Sequence, residues 1–181
     1  MRNKKTVFIA QAAMIAAVYI VLTYFINAFN LASGTIQIRI SEALTVLPYF
    51  TPAAVPGLFI GCLFSNLFTG AMMPDIIFGS LATLLGAMGS YALRKHKFLV
   101  TVPPVLANAL IIPFVLRYAY GLTYVVKGVD VSIPFQAVTV GIGEIISCCV
   151  LGSLLIKLLT PYGSVLFRDD IVHPVKNSAK Q

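Results

Sequence analysis

Charge is scarce in this chain. Asp, Glu, Lys and Arg make up 10% of its 181 residues, against about 25% in soluble domains. With 59% apolar residues and a mean hydropathy of +0.92, a soluble fold of this length has no way to hide its greasy surface. Motifs are as scarce. No G-x-x-x-x-G-K-[ST] phosphate loop occurs, so the chain does not couple ATP by itself. H-E-x-x-H and G-x-S-x-G are both absent. The two histidines, His96 and His173, belong to basic segment ends, so neither a zinc site nor a serine nucleophile can be assembled. Cys62, Cys148 and Cys149 fall in apolar segments without C-x-x-C spacing, which reads as buried reduced thiols. No cofactor or metal is expected.

What the chain does have is long apolar runs. Backbone in lipid must bond internally, which leaves helices or a closed barrel. The runs are continuous rather than alternating, which selects an all-α integral membrane protein. The net charge of +7 would point to nucleic acid in a soluble chain. Here the basic residues sit at segment ends, so they report membrane orientation and no nucleic-acid partner is expected. The first apolar run exceeds a signal-peptide core of about 7–15 residues and precedes no small-residue cleavage site, so a cleaved leader is not expected.

The segments fall at residues 6–29, 42–50, 53–69, 75–93, 98–119 and 134–159. Residues 30–40, 70–73 and 120–133 are loops, and residues 161–181 form a polar tail after a domain at 1–160. Ser41 is a candidate helix cap with Glu42 in the first turn. Pro103, Pro104 and Pro113 predict a kinked or broken fifth segment. Tyr118, Tyr120 and Tyr124 resemble an interfacial aromatic belt.

Whether 42–50 crosses decides the topology. If it does, six helices place 10 Lys and Arg inside and 3 (Arg39, Arg117, Lys127) outside. If 41–70 is one span, the inside:outside split is 5:8 or 8:5, depending on the side of the N-terminus. The positive-inside bias favours six helices, the second very short, with both termini cytoplasmic.

Ionisable residues at membrane depth are expensive and point to function. Glu144 lies ten residues into the last segment, flanked by Gly141 and Gly143, which leave space beside the acid. An internal salt bridge or a protonated acid facing another helix is the alternative. Asn108 falls at similar depth in the fifth segment, where an interhelical hydrogen bond would equally explain it. Glu42 and Asp75 would suit the first turns of their helices, and Arg39 would pair with Glu42. Under the six-helix topology Arg39, Glu42, Asn66 and Asp75 gather at the outer rim above Glu144 and Asn108, as a pocket open to the outside. Ala12/Ala16 and Ala13/Ala17 are small residues four apart, suited to close helix contact inside the protein or with another membrane subunit. An intramembrane enzyme would need paired catalytic groups at one depth, and Glu144 is the one acid the sequence places there.

The run QIRISEALTVLPYFTPAAVPGLFIGCLFSNLFTG, followed by DIIFGSLATLLGA, covers residues 37–87. It resembles the QueT family of membrane proteins, substrate-binding (S) components of energy-coupling-factor transporters. The resemblance implies a multi-pass protein of the bacterial cytoplasmic membrane, with the six-helix fold of S components. Its function would be to capture a queuosine precursor, a deazaguanine base in its cyano or aminomethyl form, or queuine. A scaffold membrane subunit and two cytoplasmic ATPases are the implied partners, with docking on Ala12, Ala13, Ala16 and Ala17. Residues 30–40 and 70–73 would gate the site. The resemblance does not name the side chains that touch the base. Chemistry offers a set: Glu144 accepting the ring N–H and exocyclic amine, Asn108 serving the carbonyl, Asp75 or Glu42 pairing an aminomethyl cation, and Phe78 or Tyr118 stacking on the ring. Arg39 would close the lid onto Glu42 or Asp75. An S component for another vitamin or purine, or a membrane scaffold without a ligand, are the rival functions.

Overall fold

The computed structural model describes residues 4–28 and 39–167. Residues 30–38 of the expected gating loop, residues 168–181 of the expected tail and residues 1–3 lie outside the described residues. Within them the regular structure is helical, save for one two-stranded hairpin, with short turns and loops between the elements. Helix α1 (Lys4–Ala28) is followed, after the undescribed stretch, by a 3₁₀ helix at Ile40–Tyr49. Then come α2 (Ala54–Phe68), α3 (Met73–Ala92) and α4 (Val102–Tyr118). The hairpin pairs β1 (Val125–Val126) with β2 (Val129–Asp130). After it, α5 (Ser132–Glu144), a π-helical segment (Ile145–Leu151) and α6 (Gly152–Leu159) run on as one rod. A last turn, α7 (Gly163–Leu166), closes the described chain.

Among the described residues four helical stretches are long and apolar enough to cross a membrane: Lys4–Ala28, Met73–Ala92, Leu99–Tyr118 and Ser132–Tyr162. The outward faces of the bundle carry large apolar side chains such as Ile9, Val21, Phe68, Leu85, Leu110 and Val150. In water that surface would be a severe liability; in lipid it is the ordinary one.

The 3₁₀ helix Ile40–Tyr49 is the strut at the centre. At about 2.0 Å per residue it is about 20 Å long, short of a hydrocarbon core of about 30 Å. Runs of this geometry seldom exceed about 3–4 residues, so its persistence over 10 residues needs tertiary support. It has that support: Ser41 to Pro48 are all buried, packed by α1, α2, α3, the π-helical segment and α6. Arg39 flanks its start, with the Glu42 amide donating to the Arg39 carbonyl at 2.9 Å, and no side chain caps it. Ser41 is therefore inside the helix rather than its cap.

Small residues set the helix spacings. A side chain on Gly57 would meet the Ala12 carbonyl oxygen at 2.7 Å, and one on Gly61 would meet Tyr19 Cβ at 2.8 Å, so α1 and α2 touch backbone to backbone. This contact uses Ala12 and Ala16; Ala13 and Ala17 face outward and are exposed. The alanine pairs thus divide, one inside the bundle and one on its surface. Gly86 plays the same part where α3 meets Pro104 at 2.7 Å.

Two local expectations are corrected. Pro103 and Pro104 do not break the fifth segment. They lie in the first turn of α4, after a 3₁₀ turn at Leu99–Thr101, where a missing N–H costs nothing. Only Pro113 is interior. The expected loop 120–133 holds the hairpin, whose turn residues Lys127 and Gly128 have φ of 51° and 81°, the positive values that a two-residue connection matching strand twist requires. Its base is bolted by Arg117, which donates to Asp130 Oδ2 at 2.7 Å and 3.1 Å. Gln136 Nε2 also donates to the Leu122 carbonyl at 2.9 Å.

Candidate functional site

The ends of α1, α2, α3, α4 and the 3₁₀ helix that gather near the hairpin enclose a cavity of about 340 Å³. Binding pockets for small molecules run from about 300 Å³ upward, so this one suits a guest of one or two rings. Tyr19, Arg39, Ser41, Asp75, Leu116 and Tyr120 contribute to its wall. α3 supplies Asp75 because Met72–Pro74 starts the helix there and puts the acid in the first turn. Tyr120 donates to Asp75 Oδ2 at 3.0 Å and accepts from the Met72 amide at 3.3 Å. It is therefore a wall residue rather than a belt residue. Partial burial, reinforced by the neighbouring Asp75 carboxylate, pushes the Tyr120 phenol above its ordinary value. Asn66 is buried beside Asp75 and donates to the Asp75 carbonyl at 3.5 Å. Arg39 is half-buried in the same wall and has no carboxylate within ion-pairing distance among the described residues.

Beneath the cavity lies the feature that the sequence hid. Glu42 does not stay at the rim. It is fully buried, and its carboxylate, that of Glu144 and the Cys148 thiol offer ligand atoms within 4.8 Å of one another. Glu144 lies twelve residues into the rod that starts at Ser132, about 18 Å along it, at the junction where the α-helix becomes π-helical. π turns inside α-helices are frequent at functional sites because they re-aim side chains. Among the described residues neither acid has a cation within ion-pairing distance. Tyr19 donates a hydrogen bond to Glu42 Oε1, and Thr83 Oγ1 reaches the same oxygen at 3.4 Å. Cys148 Sγ donates to Glu144 Oε2 at 3.3 Å.

Several buried polar atoms here have no hydrogen-bond partner among the described residues: Glu42 Oε2, Asn108 Nδ2 and Ser147 Oγ in the deep cluster, and Asp75 Oδ1 above it. Each such group costs about 1–3 kcal/mol if nothing meets it, and idle buried atoms in a native fold call for a guest, a water or an ion. Asn108 interacts with Glu144, though outside strict hydrogen-bond geometry, and Glu42 Oε2 is the idle acceptor beside that acid. Glu42, Glu144 and Cys148 are also the group whose spacing would admit a metal ion.

The expected residues thus fall into three sets. Arg39 and Asp75 line the cavity, with Asn66 behind them. Glu42, Glu144 and Asn108 form the cluster beneath it, none of them counted among the wall residues. Phe78 and Tyr118 are elsewhere: they are 49% and 74% exposed and edge a separate apolar groove of about 470 Å³ between α3 and α4, with Pro74 and Phe114. The buried stripe of α3 runs through Asp75, Gly79, Ala82, Thr83 and Gly86, and Phe78 lies to one side of it. The sequence reading left Tyr19, Thr83, Cys148 and Tyr120 out of the site. Cys148 left a trace, one helical turn beyond Glu144 on the same face.

The apolar exterior and the long apolar helices mark an integral membrane protein, with a solute-sized cavity above a pair of buried acids. The sequence model of the QueT transporter family matches residues 9–161, and the chain belongs to that family. It is 35% identical over 85 residues to the queuosine precursor transporter QueT of Lactococcus lactis subsp. cremoris (strain MG1363); the match covers 47% of this chain and 50% of that relative, so about half of the relative's length is spanned. No solved structure matches the chain.

Proposed function

We propose that the chain is the substrate-capture component of an energy-coupling-factor uptake transporter in the bacterial cytoplasmic membrane, and that it binds a queuosine precursor. In this reading six helical segments cross, the 3₁₀ helix among them, with both termini cytoplasmic and the cavity opening outward. The chain lacks a phosphate-binding loop, so ATP is hydrolysed by two cytoplasmic ATPases reached through a scaffold membrane subunit. Ala13 and Ala17, exposed on α1, are the docking surface; Ala12 and Ala16 are already occupied by α2.

The observation that carries the substrate is the set of idle atoms around Glu144. The recognition edge of a deazaguanine presents, in order, a carbonyl oxygen, a ring N–H and an exocyclic amine with two hydrogens. Asn108 Nδ2, held loosely beside Glu144 outside strict hydrogen-bond geometry, turns to the carbonyl, and Glu42 Oε2 is an unpartnered acceptor. Glu144 between them accepts the ring N–H and one amine hydrogen, and Glu42 Oε2 accepts the other. Asp75, one wall away with its Oδ1 idle, pairs the side-chain amine of an aminomethyl form. The name of the Lactococcus relative agrees with this chemistry.

Calorimetric titration of the purified protein tests the proposal. The cyano and aminomethyl deazaguanines and queuine are run against guanine, riboflavin, thiamine and biotin. Binding confined to deazaguanines is the expected result. Binding of a vitamin alone would assign the chain to another S component, and silence from every ligand would favour a scaffold.

A further inference from the structure

We propose that Tyr19 is the positioning residue that aims the Glu42 carboxylate at the guest's exocyclic amine, and so makes the site selective for bases that carry one. The inference rests on the deazaguanine reading above and adds the group that sets its specificity.

The backbone of Glu42 is fixed. Its carbonyl accepts from Thr45 Oγ1 at 2.6 Å, and Cys148 Sγ lies 3.5 Å from it. What remains free is the direction of its side chain. Tyr19 and Thr83 both hold Oε1, which leaves Oε2 as the oxygen without a partner. Of the two, the phenol makes the closer contact, and Thr83 is also engaged with Cys62 Sγ at 3.3 Å. Tyr19 is itself immobilised: it is 1% exposed, and its Cβ presses on the bare face of Gly61. It also belongs to the cavity wall, so it spans the distance between the cavity and the acid pair. A carboxylate pinned through one oxygen by a rigid ring offers the other in a single direction, and no reorganisation is needed when a donor arrives. Unpinned, the same carboxylate keeps only the longer Thr83 contact and is free to rotate away from the guest. A guest without an exocyclic amine gains nothing from this arrangement, because the hydrogen that Oε2 accepts is missing from it.

The test compares two ligands on four proteins. The ligands are cyano-deazaguanine and its deazahypoxanthine counterpart, which lacks the exocyclic amine. The proteins are the wild type, Tyr19→Phe, Glu42→Gln and the double variant, with dissociation constants taken by direct and competitive titration. Phenylalanine keeps the ring that packs on Gly61 and removes only the hydroxyl. The expected result is a loss of about tenfold for the amine-bearing base with Tyr19→Phe, the scale of one unmet hydrogen bond. The counterpart should change less than about twofold. Tyr19→Phe should add nothing further in the Glu42→Gln background. Equal losses on both ligands, or additive losses in the double variant, would reduce Tyr19 to a packing residue and overturn the proposal. A wild type that binds neither base would remove the deazaguanine reading itself, a result distinct from either.

Discussion

Two groups of acids in this protein are treated in opposite ways. Asp130, at the base of the hairpin, has nearly everything an acid can use: the bidentate Arg117 guanidinium, the Ser132 amide at 2.9 Å and the Ser132 hydroxyl. Those bonds, the two from Ser132 first and then Arg117, hold its carboxyl down to about 2. Glu42 and Glu144 are buried side by side, with no cation at ion-pairing distance among the described residues and with Glu42 Oε2 idle. An acid that serves the fold is satisfied by the fold. Under the proposed function Glu42 and Glu144 are left short for a guest, and the surrounding helices bear the cost. The packing of the 3₁₀ helix on six neighbouring elements is what makes that tolerable.

If the contrast is sound, removing the idle acids should harm binding far more than folding. The double variant Glu42→Gln/Glu144→Gln is expected to lose more than about a hundredfold in affinity for a deazaguanine, the scale of two unmet charged hydrogen bonds. Its melting temperature in detergent should stay level or rise, because two buried carboxyls without a cationic partner have been replaced by neutral amides. A large fall in melting temperature would mean that the pair is structural after all. Asn108→Ala comes next, with an expected loss of about tenfold, read by the same titration.

The hairpin acid should behave in reverse. The folded-state value of Asp130 lies below its ordinary 3.8, so its contribution to hairpin stability is complete above that value and is lost as pH falls toward about 2. Hydrogen exchange of the Val131 amide, which bonds the Tyr124 carbonyl, and of the Ser132 amide, which bonds Asp130 Oδ1, corrected for intrinsic rates, should speed up across that window and stay flat from pH 5 to 8. Asp130→Asn should loosen the same amides at neutral pH while leaving affinity unchanged. The smallest effect is expected at the apolar groove: Phe78→Ala and Tyr118→Ala should each change affinity by less than about twofold, since surface-side changes remote from a site add independently. A loss of tenfold at either would mean that the guest sits between α3 and α4 instead.

Part of this contrast is legible in the sequence. Glu144 announces itself because an acid deep in an apolar run has few innocent explanations, and the crowded prolines and glycines between Pro48 and Gly61 mark a break between two short elements. The partnership of Glu42 with Glu144 is not legible, because it depends on a 3₁₀ helix docking beside a π-helical segment, and neither geometry has a reliable residue signature. Tyr120 reads as a belt residue because its run of tyrosines ends a span; only the tertiary approach of Asp75 turns it inward. The V-V-K-G-V hairpin was available, as Lys127-Gly128 between valines, but two-residue strands leave little alternation to see. Phe78 shows the limit of counting turns: one turn from Asp75 along α3 is close in sequence, yet the ring leaves the buried stripe.

The account rests on Glu144 being an acceptor for a guest. Calorimetric titration of cyano-deazaguanine into purified Glu144→Gln, beside the wild type, tests that most directly. A loss of about tenfold to a hundredfold with the fold intact is predicted, and equal affinity in the two proteins would contradict it.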